Sequence, residues 1–130
     1  RNWLNSVKEK EDIIIKSAEA KGISVNELDI PTIDKLNDLR LAFGKPMKIT
    51  SGFRDVTHPI EAKKKTPGAH TTGCAADIAV SREDAFDLLS LALTKGFTGI
   101  GIQQKGSGRF IHLDTLKNTG ERPRPTVWSY

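Results

Sequence analysis

The chain has 130 residues, a net charge of +4, three histidines and one cysteine. That length supports one domain with a real core and excludes two. No run of about 18 apolar residues is present, which excludes a membrane-spanning helix, and a lone cysteine excludes an internal disulfide.

The first predicted element is a helix over 6–22. Ser6 and Glu9 form a capping box, Val7, Ile14, Ile15 and Ala18 share one side, and Gly22 ends it. A second helix starts near Pro31, which suits a first-turn position. Its buried stripe is Ile33, Leu36, Leu39 and Phe43, with Arg40 the polar exception, and Gly44 and Pro46 stop it. Residues 47–50 read as a short strand. Residues 51–69 carry no period and contain Gly52, Pro59, Pro67 and Gly68, which predicts a long loop of the kind that is functional or mobile. The loop includes three consecutive lysines, but basic residues elsewhere are diluted by acids and aromatics are scarce. That pattern points away from nucleic acid and suits an anionic polymer.

"AADIAV", residues 75–80, reads as a buried strand, preceded by Cys74, expected as a small core thiol. Ser81 caps a third helix with Asp84 in the box position, a buried stripe of Phe86, Leu89, Ala92 and Leu93, and a stop at Gly96. Strands over 98–103 and 109–114 flank a turn at "QKGSG". The tail "RPRPTVWSY" is punctuated by proline. The order predicts an α+β fold, a small and largely antiparallel sheet with helices packed on one side, in a single domain over 1–130.

Two of the three histidines sit in "GAHTTGCAADI" (68–78) and "FIHLDT" (110–115). Residues two apart on a strand face the same way, so His112 and Asp114 share one face and Ile111 and Leu113 the other. If the strand carrying Asp77 lies beside that of His112, then His70, Asp77 and His112 converge. Two imidazoles and a carboxylate suit zinc, and three protein ligands with a fourth position open to water is the catalytic arrangement. The spacing equally admits a hydrogen-bonded histidine and an aspartate tied to a loop, since no H-E-x-x-H pair is present.

Four elements occur in one order: "SGFR" (51–54), "HTTGCAADI" (70–78), "GIGI" (99–102) and "FIHLDT". Together they resemble the zinc D-alanyl-D-alanine carboxypeptidase family of cell-wall peptidases, in particular its small phage-type members, which share a metal centre with Hedgehog and lysostaphin-type domains. The family often closes with an R-P-x-x-W-type tail, which "RPRPTVWSY" resembles. The likeness covers about 31–130; residues 1–30 form a helical extension with nothing to match. It implies zinc as cofactor, with His70, Asp77 and His112 as ligands. Arg54 matches the arginine that pairs with a substrate carboxylate, a role that a planar guanidinium suits, although a loop salt bridge is the alternative. Ser51 either holds the turn or touches substrate. His58 is a loop histidine or a steadying group for the developing oxyanion.

Several relatives carry an acidic base three positions before the last histidine, where this chain has Arg109. Asp114 is then the nearest acid, either as catalytic base or as support for a ligand. The implied activity is zinc-dependent hydrolysis of peptide bonds in peptidoglycan stem peptides or cross-links, by a phage lysin or a bacterial wall-remodelling enzyme. The alternative is a non-catalytic zinc-containing binding or virion module. The expected partner is a peptidoglycan peptide, with no nucleic acid and no membrane, and the expected state is a monomer. The expected place of action is the cell wall, whether the protein is phage-encoded, secreted or periplasmic, although the first residues show no signal peptide.

Overall fold

The computed structural model describes residues 28–52 and 68–130. The helix expected over 6–22, and Arg54 and His58, lie outside the described residues. Helix α1 spans Ile30–Phe43. Asp29 caps it by accepting the Thr32 N–H at 2.9 Å, and Pro31 occupies the first turn. At the other end Gly44 takes the left-handed conformation (φ 72°) and returns its N–H to the Arg40 carbonyl. Ile33, Leu36, Leu39 and Phe43 are buried, as the helical spacing predicts.

Helix α2, Arg82–Thr94, bears out half of the expected stripe, since Ala92 is buried and Leu89 packs half-buried against the core, and corrects the other half. Ala85, Leu88 and Ala92 are buried, while Phe86 is 72% and Leu93 65% exposed. Both sets follow the same i, i+3, i+7 spacing, rotated by one residue, or about 100°. The set with two alanines faces inward, because small side chains let the helix sit close to its neighbours. Ser81 holds the cap position but makes no side-chain cap bond. Asp84 instead pairs with Lys45 at 2.5 Å, on the surface.

Five strands form one sheet in the order β1-β2-β4-β3-β5: β1 Lys48–Ser51, β2 Ala75–Ala79, β3 Gly99–Gln103, β4 Phe110–Asp114 and β5 Thr126–Ser129. The first four pair antiparallel. β5, not foreseen in the tail, adds to β3 in parallel, so the sheet is mixed. Ile49, Ala76, Ile78, Ile100, Ile111 and Leu113 face the core shared with both helices. Cys74 lies just before β2, half-buried and outside that core, with its thiol donating to Asp29 Oδ2 at 3.0 Å; it is not the core residue expected.

The register sets two rows of residues on the opposite face. Asp77, His112, Gly101 and Trp128 lie side by side across β2, β4, β3 and β5. Ala75, Asp114, Gly99 and Thr126 form the adjacent row. The two glycines are there for space. A Cβ at Gly101 would stand 2.6 Å from Trp128 Nε1, and one at Gly99 would collide with the Asp114 carboxylate.

The rotated α2 stripe gives a direct expectation. Leu88→Ala should cost about 2–5 kcal/mol, since Leu88 is fully buried. Phe86→Ala should stay within about 0.5 kcal/mol. Urea melts of the two variants check this, and comparable losses would contradict the orientation of α2.

Candidate metal centre

His70, Asp77 and His112 come together although they arise from three different elements. His70 lies in a single 3₁₀ turn, Ala69–Thr72, which Gly73 ends in the left-handed conformation (φ 77°). The turn feeds directly into β2, which carries Asp77, and β4 places His112 opposite Asp77. All three are buried. His70 Nε2 stands 3.1 Å from Asp77 Oδ1, and His112 Nδ1 stands 3.0 Å from the same oxygen. The two rings meet edge-on, with centroids 5.1 Å apart. Ser51 is paired with Asp77 across β1 and β2, so it borders this cluster.

What lies behind each imidazole decides which nitrogen it presents. His70 Nδ1 is 2.8 Å from the Gly52 carbonyl oxygen, which can only accept, so Nδ1 carries the proton. His112 Nε2 is 2.8 Å from Asp114 Oδ2, a carboxylate, so Nε2 carries the proton there. In the neutral rings the nitrogens left over, His70 Nε2 and His112 Nδ1, are lone pairs, and both point at the Asp77 carboxylate. Three acceptors without a hydrogen between them repel. Either an added proton or a cation must sit among them.

The donor set fits a metal. The three ligand atoms lie within 4.8 Å of one another. A tetrahedral zinc with bonds of about 2 Å separates its ligand atoms by about 3.3 Å, close to the two short contacts. A carbonyl or carboxylate behind each imidazole is the usual way in which a ligating histidine is held in one tautomer.

Asp114 does not border the three donors. It lies behind His112, fully buried, and its oxygens are occupied. Besides His112, it accepts from Arg124 Nε (Oδ1, 2.9 Å), from Arg124 Nη2 (Oδ2, 2.8 Å) and from the Leu116 N–H (Oδ1, 3.3 Å). Arg124 was not singled out in the sequence. The tail motif that holds it is visible there, but its partner, ten residues earlier, becomes apparent only once β5 returns along the sheet. Arg109, where the sequence resemblance leads to the expectation of an acid, donates from Nε to the Gly106 carbonyl at 2.8 Å, within the β3–β4 turn.

Electrostatics follow this wiring. Burial raises the Asp77 carboxyl, but hydrogen bonds and charge from His112 and His70 outweigh it and hold the group at about 2. Burial likewise raises Asp114, and His112 and Arg124 bring it down to about 2. Burial lowers His112, and its bonds to Asp114 and Asp77 more than reverse this, so the imidazole holds its proton above the usual histidine value. In the metal-free protein, that proton does the work a cation would do.

These shifts fix the sign of a pH dependence. Both carboxyls drop from 3.8 to about 2 on folding, so each contributes stability, of the order of 2 kcal/mol, that is present above about pH 4 and lost as the pH falls through about 2. His112 acts oppositely: its contribution is present below the ordinary histidine value and lost as the pH rises through the raised one. Urea melts of chelator-treated protein should therefore show stability falling on acidification between these carboxylate limits. A midpoint unchanged across that range would contradict the buried wiring.

A family model described as Peptidase M15 matches residues 7–114. No curated protein and no solved structure matches the chain. The match begins well inside the first thirty residues, where the sequence motifs offer nothing to compare, and it ends at Asp114, before Arg124 and β5. It includes His70, Asp77 and His112, the residues that the sheet and the 3₁₀ turn bring within bonding distance. Covering most of the chain and its whole donor cluster, this match shows that the protein belongs to the peptidase M15 family.

Proposed function

We propose that the chain is a zinc peptidase that hydrolyses peptide bonds in peptidoglycan stem peptides or cross-links, as a phage lysin or a bacterial wall-remodelling enzyme. The observation that carries the reading is the convergence of His70 Nε2, Asp77 Oδ1 and His112 Nδ1, with each imidazole back-bonded through its other nitrogen. These three atoms would hold the zinc. When bound, zinc supplies Lewis acidity toward a peptide carbonyl and lowers the pKa of water at an open position.

The chain's own residues supply the rest. Gly52 and Asp114 fix the two rings, so the ligand atoms are in place before a metal arrives. Of the two roles open to Asp114, the geometry favours support of His112, because its oxygens already serve His112, Arg124 and Leu116. The proton carrier then comes from the segment after β1, where Asp55, His58 and Glu61 are the candidates. Arg54, in the same segment, is assigned to a substrate carboxylate, held through two parallel hydrogen bonds. Ser51, beside Asp77, lines the approach.

One observation favours a second reading, a non-catalytic zinc-containing module. Arg109 replaces the expected acid, and the acid nearest in sequence is fully engaged. A single experiment separates the two. Purified protein should contain about one zinc per chain, and mass spectrometry of peptidoglycan incubated with it should show newly cleaved stem peptides. His70→Ala should remove both. Zinc retained with no cleavage of any wall peptide would establish the binding module, and cleavage surviving in metal-free protein would contradict both readings.

Arg54 can be tested separately. Arg54→Lys keeps the charge and loses the planar fork, so it should weaken binding of a peptide with a free carboxylate more than that of its amide. Equal loss for the two forms, measured by calorimetry, would contradict the clamp.

A further inference from the structure

The C-terminal strand completes the metal centre from outside the segment matched by the family model. Asp114 is a buried carboxylate, and a buried charge is tolerated only when paired. Arg124 provides the pair through two parallel bonds, at 2.9 and 2.8 Å, from a side chain that is itself 7% exposed. Its Nη1 is anchored to the Pro123 carbonyl at 2.7 Å, and its backbone N–H is held by Asn118 Oδ1 at 3.0 Å. The guanidinium therefore has little freedom.

Trp128 closes the remaining side. Its ring lies 5.1 Å from that of His112 and 5.2 Å from Arg124 Cζ, so it packs against both. Gly99 and Gly101 leave the space in which the Asp114 carboxylate and the Trp128 indole sit. Four positions on three strands thus serve one imidazole. A purely structural ion pair would need neither the empty positions nor the aromatic wall.

From this we infer that Arg124 is a positioning residue for the metal centre. With Trp128 packed beside it, Arg124 locks Asp114 against His112 Nε2 and thereby commits His112 to present Nδ1. The β5 strand is then part of the metal site and not a trailing edge. The inference rests on the zinc reading for its affinity consequence, but its statement about the ring stands for the metal-free protein.

The test uses the full chain with Arg124→Gln and Arg124→Lys, zinc alone as probe, and two readouts. Zinc affinity, measured against a competing chelator, should weaken about 10- to 100-fold in Arg124→Gln and less in Arg124→Lys. In the metal-free protein, at a pH high enough for His112 to be neutral, the imidazole ¹⁵N shifts should report protonated Nε2 with a bare Nδ1 in the wild type and a mixture of the two tautomers in Arg124→Gln. A merely structural arginine would lower the melting temperature and leave both readouts of the folded protein unchanged, and that result overturns the inference. If Arg124→Gln does not fold, Arg124→Lys is judged by the same two readouts. If neither folds, slow exchange of the His112 Nε2 proton in the wild type supports the lock and rapid exchange overturns it. Wild-type protein that binds no zinc overturns the zinc reading, while the ¹⁵N shifts still decide the lock.

Discussion

Three buried acceptors aimed at one another are a problem that the rest of the structure is arranged to create and a cation resolves. The Asp77 carboxylate faces a lone pair from each of His70 and His112, because the opposite nitrogen of each ring is already tied to an acceptor. Neither ring can turn to relieve the contact without leaving its buried N–H unpaired, at a cost of about 1–3 kcal/mol. The strain is therefore localised at the point where a metal is useful. A protein that only needed a stable core would gain more from apolar residues of the same size at these positions.

The fold delivers this by sheet register. The core face of β4 presents Ile111 and Leu113 to the helices, and that burial fixes the strand against slipping by one residue. The same restriction pins His112 and Asp114 to the opposite face, and the pairing of β2 with β4 sets Asp77 beside His112. Helix packing, far from the chemistry, thus positions the donors. The 3₁₀ turn and Gly73 add His70 from the loop side, and the glycines of β3 leave open the space that Asp114 and Trp128 fill.

Much of this was legible in the sequence where the signal is local. Short apolar runs gave the four antiparallel strands, the period of two gave the common face of His112 and Asp114, and proline and glycine signals placed α1 to within a residue. The misses have physical causes. In α2 nearly every side carries an apolar residue, so Phe86 and Leu93 match the helical period as well as Ala85 and Leu88 do, with Leu89 and Ala92 common to both readings, and only the closeness of packing selects Ala85 and Leu88. β5 was hidden because Pro123 and Pro125 mask a short strand that pairs with a distant one in parallel. With β5 went Arg124, whose partner is set by the sheet. Spacing alone also left Asp114 with two roles, because it cannot say which nitrogen of His112 the carboxylate meets.

The wiring makes one commitment that can be read at the metal itself. X-ray absorption of zinc-loaded protein should show nitrogen and oxygen ligands at about 2.0–2.1 Å, with the outer-shell scattering of two imidazoles and no sulfur. A sulfur ligand at about 2.3 Å, or scattering from fewer than two imidazoles, would contradict the assignment of His70, Asp77 and His112 as the metal centre.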